Sequence, residues 1–230
     1  MKIKNHYIPN VALLDVPSES RIWPATINLN PGSIIYGEKL FTDKATKTEY
    51  RSWDPYRSKL SACIYKKMKG IPENIGEMNI LYLGASTGTT VSHLSDIIGK
   101  GKIYGLEFSV RPARRLIQLS QQRENIIPIV ADARFPDRYH TQVWDVDFVF
   151  QDISQMNQAE IFVNNVMTFL KSGGKGLLIV KIKSIDTVAP EEEVVSDQIK
   201  YLEKNNLTIL EVVDISEFEK AHRAILILKP

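Results

Sequence analysis

A single cysteine, Cys63, makes an internal disulfide impossible and leaves no cysteine set for a structural zinc, so neither staples the fold. No apolar run approaches the ~20 residues that a membrane span requires, and the opening MKIKNHYIPN has no apolar signal core. A cytoplasmic chain without membrane contact is expected. Charge of one sign is scarce too: the formal net charge is +2. Sequence-independent affinity for nucleic acid comes largely from neutralised phosphates, so the isolated chain is expected to bind RNA or DNA weakly and to need helpers in any such role. The glycine-rich fingerprints are incomplete. In ILYLGASTGTTVSHL the glycines are Gly84 and Gly88, with none at 86, and Thr89 and Thr90 stand where a phosphate-binding loop would carry lysine. Neither a dinucleotide fold of the dehydrogenase type nor a P-loop is supported.

What remains is ordinary globular composition, 43% hydrophobic and 24% charged over 230 residues, enough for one large domain and a small appendage. Residues 1–55 hold short β-like runs (VALLDV, RIWPATINL, IIYGEKLFT, TEYRSW) broken by PSES, NPGS and TDKATK, which predicts a small N-terminal sheet of hairpins. From 56 to 230, helical and strand patterns alternate. SKLSACIYKKMKG reads as a helix capped by Ser58 and stopped by Gly70. NQAEIFVNNVMTFLKSGG reads as another, opened by a capping-box-like Asn157–Glu160 pair and closed at Gly173 and Gly174. Pro190 and three glutamates suit the start of a third. Alternation of this kind predicts an α/β fold, a parallel sheet with helices on both faces. The last two strand runs have no crossover helix between them and are expected to pair antiparallel.

The first strand–turn–helix suits a neutral or zwitterionic nucleoside better than a phosphate. Its carboxylate could take turn amides, Glu107 at the end of the second strand could accept two ribose hydroxyls, and Asp132 after the third could accept from an adenine amino group. The alternative is a plain tight turn followed by two solvated strand ends. His93 and Cys63 follow the helical packing pattern and read as structural. Arg111, Arg115, Gln118 and Gln122 form one helical stripe whose arginines oppose the helix dipole, a phosphate-facing patch that Arg134 and Arg138 extend, or else a solvated face.

ILYLGASTGTTVSH, RENIIPIVADAR, QDISQMNQAEI, VKIKSID and FEKAHRAIL together resemble fibrillarin in its archaeal form, over residues 32 to the end. The resemblance implies an S-adenosylmethionine-dependent RNA ribose 2′-O-methyltransferase of rRNA and tRNA, with a Rossmann-like methyltransferase domain of seven strands, the last antiparallel, and a small N-terminal β domain. It implies partners as well: a Nop-type scaffold protein, a kink-turn-binding ribosomal-type protein and a box C/D guide RNA. Cofactor contacts carried over on matching positions are Gly84, Ala85, Thr89, Thr90, Glu107, Phe108, Asp132, Ala133 and Asp152, Ile153, Ser154 and Gln155. Phe108 would stack near the adenine or serve as core; Gln155 could equally be a helix-start hydrogen-bonder. A catalytic set of Lys59, Asp152, Lys181 and His222 is implied, with no metal. Lys181, flanked by Val180 and Ile182, needs a carboxylate partner if buried. Lys183 shares its strand face and competes for its role; Asp186 reads as a turn residue. The alternative function is a nucleoside-binding assembly subunit without catalysis.

Overall fold

The computed structural model describes residues 1–19 and 21–230. The N-terminal strands are β1 (Lys2–Asn5), β2 (Val11–Asp15), β3 (Ile22–Ile27), β4 (Leu40–Thr42) and β5 (Glu49–Ser52), paired antiparallel in the order β1-β2-β3-β5-β4. Alternation sends Ala12, Leu14, Trp23, Ala25 and Tyr50 into a core of their own. The run IIYGEKLFT contributes only Leu40–Thr42 as strand, because the Glu38 carboxylate accepts from the N–H groups of Ile35 and Tyr36 and ties that stretch into a loop.

The remaining elements are α1 (Lys59–Tyr65), β6 (Ile80–Leu83), α2 (Thr89–Ile97), β7 (Ile103–Glu107), α3 (Val110–Ser120), β8 (Ile126–Val130), β9 (Val146–Gln151), α4 (Gln158–Phe169), β10 (Leu170–Lys181), α5 (Ile182–Ile185), α6 (Glu191–Lys204), β11 (Thr208–Asp214) and β12 (His222–Leu228). They build a seven-stranded sheet, β11-β12-β10-β9-β6-β7-β8, in which β12 runs antiparallel to both neighbours and the other pairings are parallel. Ile80 and Tyr82 of β6 face α1, α2 and α3, while Leu81 and Leu83 face α4 and α6, so both faces of the sheet are covered. No helix is long and apolar enough to cross a membrane among the described residues.

Two glycine stops lie elsewhere. Helix α1 ends at Tyr65, with Lys67 in the left-handed region; Gly70 instead lies against β12, where a Cβ would run into the Leu226 side chain. Helix α4 ends at Phe169, and Gly173 and Gly174 fall in an irregular start of β10, where the register shifts between Leu170 and Lys175. Ser58 caps α1 through the Ser61 N–H, but Asn157 does not cap α4: its amide donates to the Glu160 carboxylate. Because β10 stops at Lys181, Lys183 lies on α5 and donates to the Thr187 carbonyl, away from the Lys181 face.

A buried ionic cluster joins the two sheets. Arg51 of β5, fully buried, reaches Glu38 at 2.6 Å and Asp96 of α2 at 2.7 Å, and Arg123 closes on the other Asp96 oxygen at 2.7 Å. Beside it His93, stacked on Trp53, is hydrogen-bonded through both ring nitrogens. Thr26 gives its proton to Asp96, so its hydroxyl accepts from His93 Nδ1–H, and Nε2 accepts from the Tyr36 hydroxyl. Burial first, then the Arg51 and Arg123 charges, hold His93 neutral well below its ordinary 6.5. A depressed folded value means that the unfolded chain takes up the proton first. Stability is therefore retained above 6.5 and falls as pH drops below it, by up to ~1.4 kcal/mol per pH unit. Urea unfolding at pH 7 and pH 5 should show this loss for the native chain and a smaller one for His93→Gln; equal losses would refute it.

Candidate active site and cofactor cavity

The chain ends of β6, β7 and β9 open on one cavity of about 360 Å³, at the carboxyl edge of the sheet where open α/β folds receive ligands. Its floor is the turn after β6. Gly84 lies at φ +84°, and a Cβ there would meet the Asp152 carbonyl oxygen at 2.7 Å, so the two strand ends approach only because this residue has no side chain. Glu107, nearly buried, is fixed by accepting from the Ser86 N–H at 2.8 Å and the Ser109 N–H at 2.7 Å, one on each oxygen. Each oxygen keeps a further lone pair for a ligand hydroxyl. Phe108 lines the cavity and is 65% exposed, which removes the core reading of that ring.

Asp132 and Ala133 form the next wall. The Asp132 carboxylate is held by a bidentate contact from Arg134, at 2.6 Å for the shorter arm, and this hydrogen bond keeps it below the usual carboxylate range. Arg134 thus also belongs to the cavity wall. Asp152, Ile153, Ser154 and Gln155 complete the lining; α4 starts only at Gln158, so Gln155 is free of helix-start duty.

A charged constellation stands at the cavity edge, and two of its members, Asp152 and Lys181, line the cavity. Lys181 Nζ lies 2.8 Å from Asp152 Oδ1 and donates to the Asp152 carbonyl and to Ser154 Oγ. Lys59, first residue of α1, brings its ammonium to 3.7 Å from Asp152 Oδ2. All three side chains are 14–17% exposed, so the charges are shielded yet reachable. His222 opens β12 directly opposite Lys181 in the ladder; its Nδ1 faces the Lys220 carbonyl, which assigns the proton to Nδ1 and leaves Nε2 to accept.

Thr89 and Thr90 do not line the cavity: Thr89 opens on a neighbouring groove, and Thr90 is buried with its hydroxyl 2.9 Å from Ser58 Oγ. Ala85 is buried beneath the turn. Arg111 and Arg115 are exposed on α3.

Two positioning residues escaped the sequence pattern. Glu219, from the loop before β12, sits 3.4 Å from Lys59. Gln158, fully buried, accepts from the Lys181 N–H and donates to its carbonyl, pinning the end of β10. A polar residue opening an otherwise apolar helix is a faint signal for the second; nothing local signals the first.

Residues 3–229 match the sequence model of Fibrillarin. The chain belongs to the fibrillarin family. Among fibrillarin relatives, it is 43% identical, over the full length of both chains, to the fibrillarin-like rRNA/tRNA 2′-O-methyltransferase of Thermococcus onnurineus. The fold superimposes with a TM-score of 0.89 on Aeropyrum pernix fibrillarin in complex with natively bound S-adenosylmethionine, at 39% identity and covering 99% of this chain and 98% of that one. It matches the fibrillarin chain of a fibrillarin/Nop5p complex with a TM-score of 0.84, at 38% identity over 96% and 98% of the two chains.

Proposed function

We propose that this chain transfers the methyl group of S-adenosylmethionine to ribose 2′-hydroxyls of rRNA and tRNA, as the catalytic subunit of a box C/D guide ribonucleoprotein that also holds a Nop-type scaffold and a kink-turn-binding protein. The observation that carries the reading is Asp152, whose backbone and neighbours wall the cavity while its carboxylate meets two lysine ammoniums. The names of the relatives, the cofactor in the Aeropyrum fibrillarin and the Nop5p complex support it.

The residues present suit the cofactor. Glu107 offers two anchored acceptors for ribose hydroxyls, Phe108 an exposed ring for adenine, and Asp132 an ionised acceptor for its amino group. Gly84 and Ala85 would serve through the turn backbone, and Ala133 and Ile153 to Gln155 as wall, whereas Thr89 and Thr90, outside the cavity lining, support the turn from α2. When bound, S-adenosylmethionine supplies an electrophilic methyl group on a positively charged sulfur. The chain's own residues must position a hydroxyl and manage its proton. Asp152 accepts the hydroxyl hydrogen bond and draws the proton; Lys181 and Lys59 offset the negative charge growing on that oxygen. His222 Nε2 is a further acceptor beside Lys181.

Calorimetry should show the isolated chain binding S-adenosylmethionine, with Glu107→Ala weakening it by roughly tenfold or more, since ligand hydroxyls lose their acceptors. Reconstituted with guide RNA, scaffold and kink-turn protein, it should methylate the guide-matched ribose, and the site should move when the guide is changed. Cofactor binding with no transfer in the assembled particle would leave the non-catalytic assembly subunit as the reading.

A further inference from the structure

Beside the cofactor cavity lies a second groove of about 440 Å³, between the loop after β3, the residue pair before α1, the turn after β6 and the outer side of α3. Its polar lining is Tyr36, Arg57, Thr87, Arg115, Gln118 and Gln122, besides Thr89, and no carboxylate lines it. Arg51, Arg123, Arg134 and Arg223 are each closed by an acid, whereas among the described residues Arg21, Arg111, Arg114 and Arg138 are not; what distinguishes Arg57 and Arg115 is that they share one concave lining. Among the described residues, Arg57 and Arg115 have no carboxylate within ion-pair distance. The nearby acids are engaged elsewhere: Glu38 is buried against Arg51, and Asp54 Oδ1 accepts from the Tyr56 N–H.

The groove is also organised. Arg57 donates to the Tyr36 carbonyl at 3.1 Å while its guanidinium lies 4.7 Å over the Tyr36 ring, leaving the rest of the fork free. Arg115 stands in the second turn of α3, with its guanidinium on the same exposed side as Gln118 and Gln122. Arg57 is two residues from Lys59, so their Cα atoms are at most about 7.6 Å apart. Ser58 between them is buried and bonded to Thr90, which joins groove and catalytic constellation along one wall.

We propose that this groove binds the sugar–phosphate backbone of the RNA strand next to the nucleotide being modified, with Arg57 and Arg115 on phosphates and the amide and hydroxyl side chains on phosphate oxygens or 2′-hydroxyls. Two free guanidiniums, uncharged donors and no acid form the contact set that positions a nucleic-acid backbone without reading bases. The inference rests on the function proposed above and names where its substrate lies.

The test uses the reconstituted particle carrying Arg57→Gln, Arg115→Gln or both, with Arg57→Lys and Arg115→Lys as charge-keeping controls. Each Gln change should raise the KM for substrate RNA by about tenfold and make the salt dependence of binding shallower by about one unit of log–log slope. The single-turnover rate at saturating RNA and the affinity for S-adenosylmethionine should stay within twofold, and the Lys variants should recover most of the slope. Unchanged KM and slope would overturn the groove while leaving the function intact. Loss of scaffold capture with RNA affinity unchanged would overturn it too, by assigning the groove to a protein partner. If the native particle transferred no methyl group, the function would fall; photo-crosslinking of guide-paired substrate RNA, mapped by mass spectrometry, would still decide the groove, since crosslinks to peptides holding residues 57 and 115 support it and their absence overturns it.

Discussion

Asp152→Ala and Lys181→Ala should each cut the single-turnover rate of methyl transfer in the assembled particle by about 10²-fold or more, the range for losing a proton-accepting or charge-stabilising group. The expectation rests on geometry: Lys181 Nζ is 2.8 Å from one Asp152 oxygen and Lys59 is 3.7 Å from the other. Removing the carboxylate takes away the acceptor; removing Lys181 takes away the closer of two charges that offset the growing alkoxide. Folding should survive, because these side chains are partly open to water and a lone ammonium there can be solvated. Thermal unfolding of both variants should therefore stay near the native midpoint, whereas Leu81→Ala, which empties a fully buried position, should cost ~2–5 kcal/mol. Rates within about threefold of native would remove Asp152 and Lys181 from the chemistry.

The largest stability effect should come from a residue with no part in that chemistry. Asp96 is buried and accepts from Arg51, Arg123, Thr26 and the Leu29 N–H, so its carboxylate compensates charge and donors from both sheets at once. Asp96→Ala leaves Arg123 without a carboxylate and Arg51 with Glu38 alone. Breaking a buried pair in this way costs about 3–5 kcal/mol, which for a chain of this size lowers Tm by roughly 10 °C. Asp197→Ala removes an exposed pair to Lys200 and should change stability by less than ~1 kcal/mol. Calorimetric melts of the two variants side by side decide the matter: equal Tm values would mean that the cluster does not hold the two sheets together.

Glycine at 84 and carboxylates closing β7 and β9 were readable because each is a local feature: a turn that excludes Cβ, and a polar residue at the end of an apolar run. Helix ends were less legible. Gly70 and Gly173 look like stop signals, yet the first packs against the Leu226 side chain beyond the helix end, and the second sits in a bulge of β10. Lys183 matched the two-residue strand period until the chain turned into α5 at Ile182. Phe108, open in the sequence between core and ligand contact, is exposed at the cavity edge.

By itself, then, the sequence determined the alternation of strands and helices, the antiparallel final pairing, the turn that shapes the cavity floor and the acids around it. These follow from burial periodicity and from backbone conformations that few residues tolerate. Only the tertiary structure decided which charges meet. Lys59, Asp152, Lys181 and Glu219 come from four distant segments, and nothing local in Glu219 distinguishes it from a solvated loop acid. The same holds for Arg57 and Arg115, left among the described residues without an acid, while the Arg134–Asp132 pair, two residues apart, is a local exception. An ion pair requires side-chain atoms within about 4 Å, and that proximity is set by crossovers and sheet order, which no window of adjacent residues encodes.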